Sequence, residues 1–145
     1  MSFIMRSLIL IAILAVPLFC FGQTANLPSV EVRSSAAYSE VLLRKTELEA
    51  DLVAFLADYT EQNPKIIDLR YELAELNKSV EKVLAVKPAE AGKLTLALGK
   101  LIVKKAGLDT ELARLTRSYG KDHPEVKRAA RRAEIFDTAI KQVLR

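Results

Sequence analysis

The amino-acid sequence predicts an all-α protein: two tandem antiparallel helical hairpins that follow an N-terminal signal peptide. The 145 residues include only five Gly and five Pro, and the abundant Ala, Leu, Glu, Lys and Arg favour helices because they lose little side-chain freedom there. Apolar residues recur at intervals of three and four, without the alternation by two that a strand requires. The chain also repeats itself, since Tyr59 corresponds to Tyr119 and Pro64 to Pro124.

The first 22 residues form the predicted signal peptide. Arg6 precedes an almost wholly apolar run at residues 7–21, and Gly22 then offers a small residue for cleavage. We therefore predict an exported protein, periplasmic or secreted, that loses its one Cys and both Met on cleavage. Lipidation of Cys20 is a less favoured alternative because Phe19 is bulky. A retained N-terminal membrane anchor is the other alternative, since the segment is near the lower length limit for spanning a bilayer.

The rest of the chain divides at its helix breakers. We predict a connector at residues 23–34, a first hairpin at 35–86, a linker at 87–94 and a second hairpin at 95–145. The matches between the two copies fall on helix starts, apolar positions and the turn, and include Ser35 with Thr95, Leu48 with Leu108 and Leu52 with Leu112. These are the positions that the geometry of a hairpin constrains.

Each hairpin contains two helices with one apolar seam. In the first hairpin the seam residues are Tyr38, Val41, Leu48, Leu52, Phe55 and Tyr59, followed by Ile66, Leu69, Leu73, Leu76, Val80 and Val83. In the second they are Leu98, Leu101, Leu108, Leu112, Leu115 and Tyr119, followed by Val126, Ala129, Ala133, Phe136, Ile140 and Val143. This spacing is typical of coiled-coil packing. It is compatible with a four-helix arrangement in one chain and with hairpins that each pair with a second chain.

The turns carry the clearest local signals. Asn63-Pro64 and His123-Pro124 each place Pro at the first position of a new helix, where its missing N–H costs nothing. Asn63 is a suitable helix cap, and Gly120 after Tyr119 is a suitable helix stop. The short turns predict that the two helices of each copy fold back antiparallel.

Two lysines interrupt the apolar seams at equivalent positions. Lys45 and Lys105 are each followed one turn later by an acid, Glu49 and Asp109. We interpret them as aliphatic stems that lie along the seam while the ammonium group reaches that acid. The alternative is a polar position that sets the register of a bundle.

The residues offer little for catalysis, so we predict no enzymatic activity, no metal and no cofactor. His123 is the one histidine, and its place before Pro124 indicates a helix cap or a ring packed on Tyr119. Carboxylates at helical spacing, such as Glu72 and Glu75, are interpreted as solvated charge pairs. The sequence contains no glycine-rich phosphate loop and no nucleophile elbow.

Charge separates the two copies. Residues 31–87 carry 8 Lys and Arg against 11 Asp and Glu, whereas residues 88–145 carry 13 against 7. One interpretation is that the basic hairpin docks on an acidic one, within the chain or between chains. The other is an anion-binding surface for lipid head groups, lipopolysaccharide or acidic glycan, and not for nucleic acid, because stacking aromatics are lacking. Its candidate residues are Lys127, Arg128, Arg131 and Arg132, joined by Arg114, Arg117 and Lys121.

The segment Leu115–Val126 has the form Leu-x-x-x-Tyr-x-x-x-His-Pro-x-Val. It resembles the coiled-coil region of bacterial polysaccharide chain-length determinants (polysaccharide co-polymerases) and related exopolysaccharide export proteins. The first copy resembles it more loosely, through Phe55, Tyr59, Asn63, Pro64 and Ile66. Family members carry such turns between long periplasmic helices that two transmembrane segments anchor. With one apolar segment here, the resemblance implies an envelope protein that shares the hairpin without being a chain-length determinant.

These features predict a non-enzymatic helical interaction or scaffold protein of the cell envelope, associated through the resemblance with polysaccharide machinery. Its expected partners are further copies of itself or an envelope complex, contacted through helix packing. The alternative is a binding protein for anionic envelope ligands that uses the basic second hairpin.

Overall fold

The computed structural model describes residues 29–145, and within this range the chain forms helices and turns with no strand. The predicted all-α class is confirmed. The predicted signal peptide and most of the connector lie outside the described residues. The helices are α1 (Val30–Arg33), α2 (Ala36–Asp58), α3 (Pro64–Leu84), a 3-10 helix (Pro88–Lys93), α4 (Leu96–Tyr119) and α5 (Pro124–Leu144).

The sequence repeat is reproduced in the helix boundaries. Helices α2 and α4 begin at residues 36 and 96, while α3 and α5 span residues 64–84 and 124–144. The Ser35 hydroxyl accepts a hydrogen bond from the Tyr38 N–H at 3.2 Å. Thr95 caps α4 in the same way, accepting from the Leu98 N–H at 3.3 Å. Equivalent cap residues therefore start equivalent helices.

Proline and glycine define the two turns. Pro64 and Pro124 occupy the first positions of α3 and α5. The Asn63 side chain accepts a hydrogen bond from the Lys65 N–H at 2.9 Å. Gly120 ends α4 with a φ of 77°, a conformation that glycine adopts at little cost because it has no Cβ.

The core lies between α2, α3 and α4, which pack against one another. Its fully buried side chains include Val41 and Leu48 from α2, Leu76 from α3 and Leu98 from α4. Helix α5 packs chiefly on α4 and buries only small or medium side chains, namely Val126, Ala129 and Ala133. The four long helices are therefore unequal, with α4 at the centre and α5 the least enclosed.

Three features of the fold differ from the sequence-based expectation. Tyr59 and Tyr119, predicted as seam residues, are 52% and 57% exposed because they lie at the turns where α2 and α4 end. Helix α4 buries Gly99, Ile102, Ala106 and Thr110 in addition to seam residues, because it contacts three neighbouring helices. The connector, which shows no strong period in the sequence, contains α1, whose Val32 is fully buried in the core. A four-residue helix has no readable period, so its anchoring side chain was not apparent.

Helices α2 and α4 run in the same direction. Gly99 lies against Ala37 near their N-termini, and farther along both helices Glu47 and Glu111 line the same cleft. The turn that follows each helix therefore lies at the same end of the molecule. An ion pair between Asp68 of α3 and Arg117 of α4 joins the two turn regions there.

Candidate functional site

The two turn regions lie together at one end of the bundle, where Asp68 and Arg117 form an ion pair. We name residues 51–70 tip 1 and residues 111–130 tip 2, which are equivalent in the repeat. The last buried side chain of α2 is Leu48, and that of α4 is Thr110. The apolar side chains exposed on the tips are Val53, Leu56, Tyr59, Ile67 and Tyr119. Val53, at 72%, is the most exposed of these side chains.

The turn-motif residues stabilise the tips. The rings of Phe55 and Tyr59 lie with centroids 5.8 Å apart. Tyr119 and His123 stack with centroids 4.5 Å apart, and Nδ1 of His123 accepts a hydrogen bond from the Glu125 N–H at 3.2 Å. His123 is thus both a helix cap and a stacking partner. No group of three or more metal-ligand side chains occurs within residues 29–145.

The seam lysines lie half-buried beside their acids. Lys45 Nζ is 3.5 Å from an oxygen of Glu49, and Lys105 Nζ is 2.6 Å from an oxygen of Asp109. Each pair spans one helical turn on its own helix. The geometry matches a structural role, with the stems packed along the bundle and the charges at its edge.

Four of the seven candidate anion-binding cations already have acidic partners. Lys127 Nζ lies 3.6 Å from Asp122, and Arg132 lies 3.4 Å from Glu111. Arg128 pairs with Glu125, and Arg117 pairs with Asp68. These partners reduce the charge that an external anion would meet.

The other three cations have no acidic group within 4 Å among residues 29–145: Arg114, Lys121 and Arg131. The predicted four-cation face on α5 is also divided. Arg132 turns towards Glu111 of α4, whereas Arg131 lines the outer face of α5 beside the exposed Ile135. Of the seven candidate cations, Arg114 and Lys121 are therefore the unpaired ones that lie on tip 2.

The two tips carry opposite net charge. Tip 1 contains four acids against two cations, whereas tip 2 contains five cations against three acids. The opposition occurs at equivalent positions of the repeat. Glu61 corresponds to Lys121, and Asp68 corresponds to Arg128. The charge difference between the hairpins is therefore expressed locally, at one end of the molecule.

A charged cleft lies beside α4, and no pattern in the sequence predicts it. Glu72, whose side chain is 13% exposed, accepts hydrogen bonds from Nε and Nη2 of Arg44 at 3.0 and 2.9 Å. Burial disfavours the charged form of Arg44, but its hydrogen bonds and attraction to Glu72 and Glu47 raise its pKa. Glu72 is thus an enclosed ion-pair partner and not a solvated carboxylate. The cleft, about 500 Å³ in volume, also includes Gly107, Glu111 and Arg132.

A narrower cleft of about 70 Å³ lies on the other side of α4, between α3 and α5. Its floor is apolar, with Val83, Ile102, Ala106 and Ile140, and its rim is charged. Lys141 at 2.6 Å from Asp137 lowers the pKa of that rim carboxyl. The opposite charges on this rim neutralise one another, so the cleft does not select a ligand of one sign.

No protein-family model matches the chain, and neither a curated protein nor a solved structure is significantly similar to it. Within residues 29–145 no helix combines the length and the apolar character needed to cross a membrane.

Proposed function

We propose that this chain is an exported, non-enzymatic interaction module that contacts its partner through the two tips. In this proposal the bundle of α2, α3 and α4 is a rigid support, and the tips are the binding surface. The resemblance of the Tyr119 to Pro124 turn to polysaccharide chain-length determinants associates the module with envelope polysaccharide machinery. The helices would act by packing against other helices, which requires no cofactor.

The observation that carries the proposal is the combination of exposed apolar side chains and unpaired charges on the tips. Val53, Leu56 and Tyr59 are exposed on tip 1, and Tyr119 is exposed on tip 2. Interaction surfaces are enriched in Tyr and large apolar side chains, surrounded by polar groups. The charged groups that line the clefts beside α4 are mostly paired within the chain, as Arg44 is with Glu72.

A co-purification experiment with matched variants tests this function. The tip variant carries Val53→Ser, Leu56→Ser and Tyr119→Ser, while the control carries Val30→Ser and Leu96→Ser at exposed apolar positions outside the tips. After crosslinking in intact cells, we expect the wild type and the control to retain the same partner and the tip variant to lose it. Retention by the tip variant, with loss in the control, would contradict the proposal.

Export is part of the proposal and has a direct test. Cleavage after Gly22 leaves a chain that begins at Gln23. The intact mass of the protein from an osmotic-shock fraction should correspond to residues 23–145. A full-length mass in the membrane fraction would instead support the retained anchor, and a cytoplasmic full-length chain would refute export.

Anionic-ligand binding is a second candidate function, favoured by Arg114, Lys121 and Arg131. These cations are free of acidic partners among residues 29–145. Replacing all three by Ser should abolish retention on lipopolysaccharide or acidic glycan. This retention is sensitive to salt because the attraction between exposed cations and a bound anion is screened by dissolved ions. The control replaces Lys82, Lys87 and Lys100, outside the tips, by Ser. Equal retention by both variants would exclude this function.

A further inference from the structure

We propose that the tips bind a second copy of this chain in a two-fold symmetric dimer, with tip 1 of each copy facing tip 2 of the other. The inference rests on the proposed function and names the partner of that surface. It follows from three observations: the opposite net charges of the tips, their location at one end of the molecule, and the exposed apolar residues on both tips.

The charges are complementary in sign and equal in size. Each tip has a net charge of two, negative on tip 1 and positive on tip 2, from four acids against two cations and five cations against three acids. Asp51 and Asp58 on tip 1 are exposed, with no cation within 4 Å among residues 29–145. Arg114 and Lys121 on tip 2 are exposed and equally free within that range. These exposed carboxylates and cations are therefore available to form ion pairs with a partner.

The position of the tips suits a two-fold axis. Because α2 and α4 run in the same direction and Asp68 pairs with Arg117, the acidic and basic tips lie side by side. In a two-fold interface each contact occurs twice, so a surface with one acidic and one basic half is self-complementary when rotated onto a copy. The pairing places every tip against a tip of opposite net charge.

Exposed apolar side chains on both tips supply surface area that can be buried in the dimer interface. Val53, Leu56 and Tyr59 on tip 1 and Tyr119 on tip 2 are exposed in the single chain. In the dimer they are covered, while the charges select the orientation and exclude like-sign pairing. A surface made only for an anionic glycan needs neither the acidic tip nor these apolar side chains.

Two charge variants test the dimer. The acid-only variant carries Arg114→Glu and Lys121→Glu, which gives tip 2 five acids against three cations. The base-only variant carries Asp51→Lys and Asp58→Lys, which gives tip 1 four cations against two acids. Glu and Lys both favour helices, and the replaced side chains are exposed, so folding should be preserved. Circular dichroism of each variant checks this.

Sedimentation velocity at low salt then gives the decisive comparison, with each protein purified as the cell processes it. The wild type should dimerise, and each variant alone should dimerise more than about tenfold less tightly, because its tips repel. An equimolar mixture of the two variants should regain wild-type dimerisation, since every tip again faces one of opposite sign. A control with Lys87→Glu and Lys100→Glu, which alters charge outside the tips by the same amount, should dimerise normally.

A mixture that remains monomeric, or variants that dimerise alone as well as the wild type, would overturn the two-fold dimer. A wild type that stays monomeric at low salt would overturn it as well. These results would not decide the proposed function, which has its own co-purification test. An interaction module is still supported if the wild type captures a different envelope protein and the tip variant loses it.

Discussion

Gly99 of α4 lies so close to Ala37 of α2 that no side chain fits between them. A Cβ at Gly99 would lie 2.9 Å from Cα of Ala37 and 2.8 Å from Cβ of Glu40. The Ala37 N–H also donates to the Leu94 carbonyl at 3.1 Å, which holds this part of α2 in place. The close approach packs α2 and α4 side by side in the same direction, and thereby brings the tips to one end.

Replacing Gly99 by Ala should destabilise the protein by about 1–3 kcal/mol, because the added methyl meets backbone atoms that are held in place. This cost outweighs the roughly 0.5–1 kcal/mol that Ala gains over Gly in a helix. Urea unfolding followed by circular dichroism measures the difference. Gly107 is the matched control, since a Cβ there meets nothing within 4 Å. Gly107→Ala should stabilise, and a similar loss of stability in both variants would refute the explanation.

Glu72→Gln should lower the free energy of unfolding by about 1–3 kcal/mol, since it weakens two charge-assisted hydrogen bonds to Arg44 in a largely enclosed position. Glu111→Gln is the comparison. Its hydrogen bonds to Arg132 are long, at 3.4 Å, and exposed, so the loss should be below about 1 kcal/mol. Chemical denaturation of both variants decides the matter. The prediction fails if Glu111→Gln lowers the free energy of unfolding more than Glu72→Gln does.

Hydrogen exchange should be fastest, among the four long helices, in α5. This helix packs chiefly on α4 and buries Val126, Ala129 and Ala133, whereas α3 buries Ile66, Leu69, Leu73, Leu76 and Val83. Less buried apolar area means a lower free energy of local opening. Mass-spectrometric exchange on peptides from α3 and α5 provides the comparison. Equal protection of both helices would show that α5 has contacts of similar strength.

Asp137 should contribute to the acid sensitivity of the protein. The hydrogen bond from Lys141 lowers its folded-state pKa below the ordinary value of 3.8. The stability it supplies is therefore present above that ordinary value and is lost as pH falls through the lowered pKa. Asp137→Asn should cost about 0.2–0.5 kcal/mol at neutral pH, as expected for such a helical pair, and almost nothing near pH 2. Urea midpoints at both pH values measure the change, and a cost independent of pH would contradict it.

Most of the fold could be predicted because it depends on local signals. Ser35 and Thr95 cap helices through hydrogen bonds to residues three positions away. Pro64 and Pro124 favour a helix start through their own fixed φ. The apolar spacing of α3 likewise identifies its buried face directly, since all but Val80 of its predicted seam residues are buried. Such features are legible in a sequence because neighbours in space are neighbours in the chain.

The remaining features depend on contacts between distant segments. Arg44 and Glu72 are 28 residues apart, and nothing in the period of either helix pairs them. The second buried face of α4, with Gly99 and Ile102, exists because α4 is surrounded by three helices. The positive charge of the α5 cations is evident in the sequence, but the pairing of Arg132 with Glu111 of α4 depends on how the two helices pack.

Photo-crosslinking from single positions in intact cells tests the central claim most directly. A photoreactive amino acid is placed at Leu56 on tip 1, at Tyr119 on tip 2, or at the exposed Ala89 in the 3-10 helix between the two copies. The account predicts discrete crosslinked products from Leu56 and Tyr119 and none from Ala89. Crosslinking from Ala89 with none from either tip would show that the partner binds elsewhere, and would contradict the assignment of the tips as the binding surface.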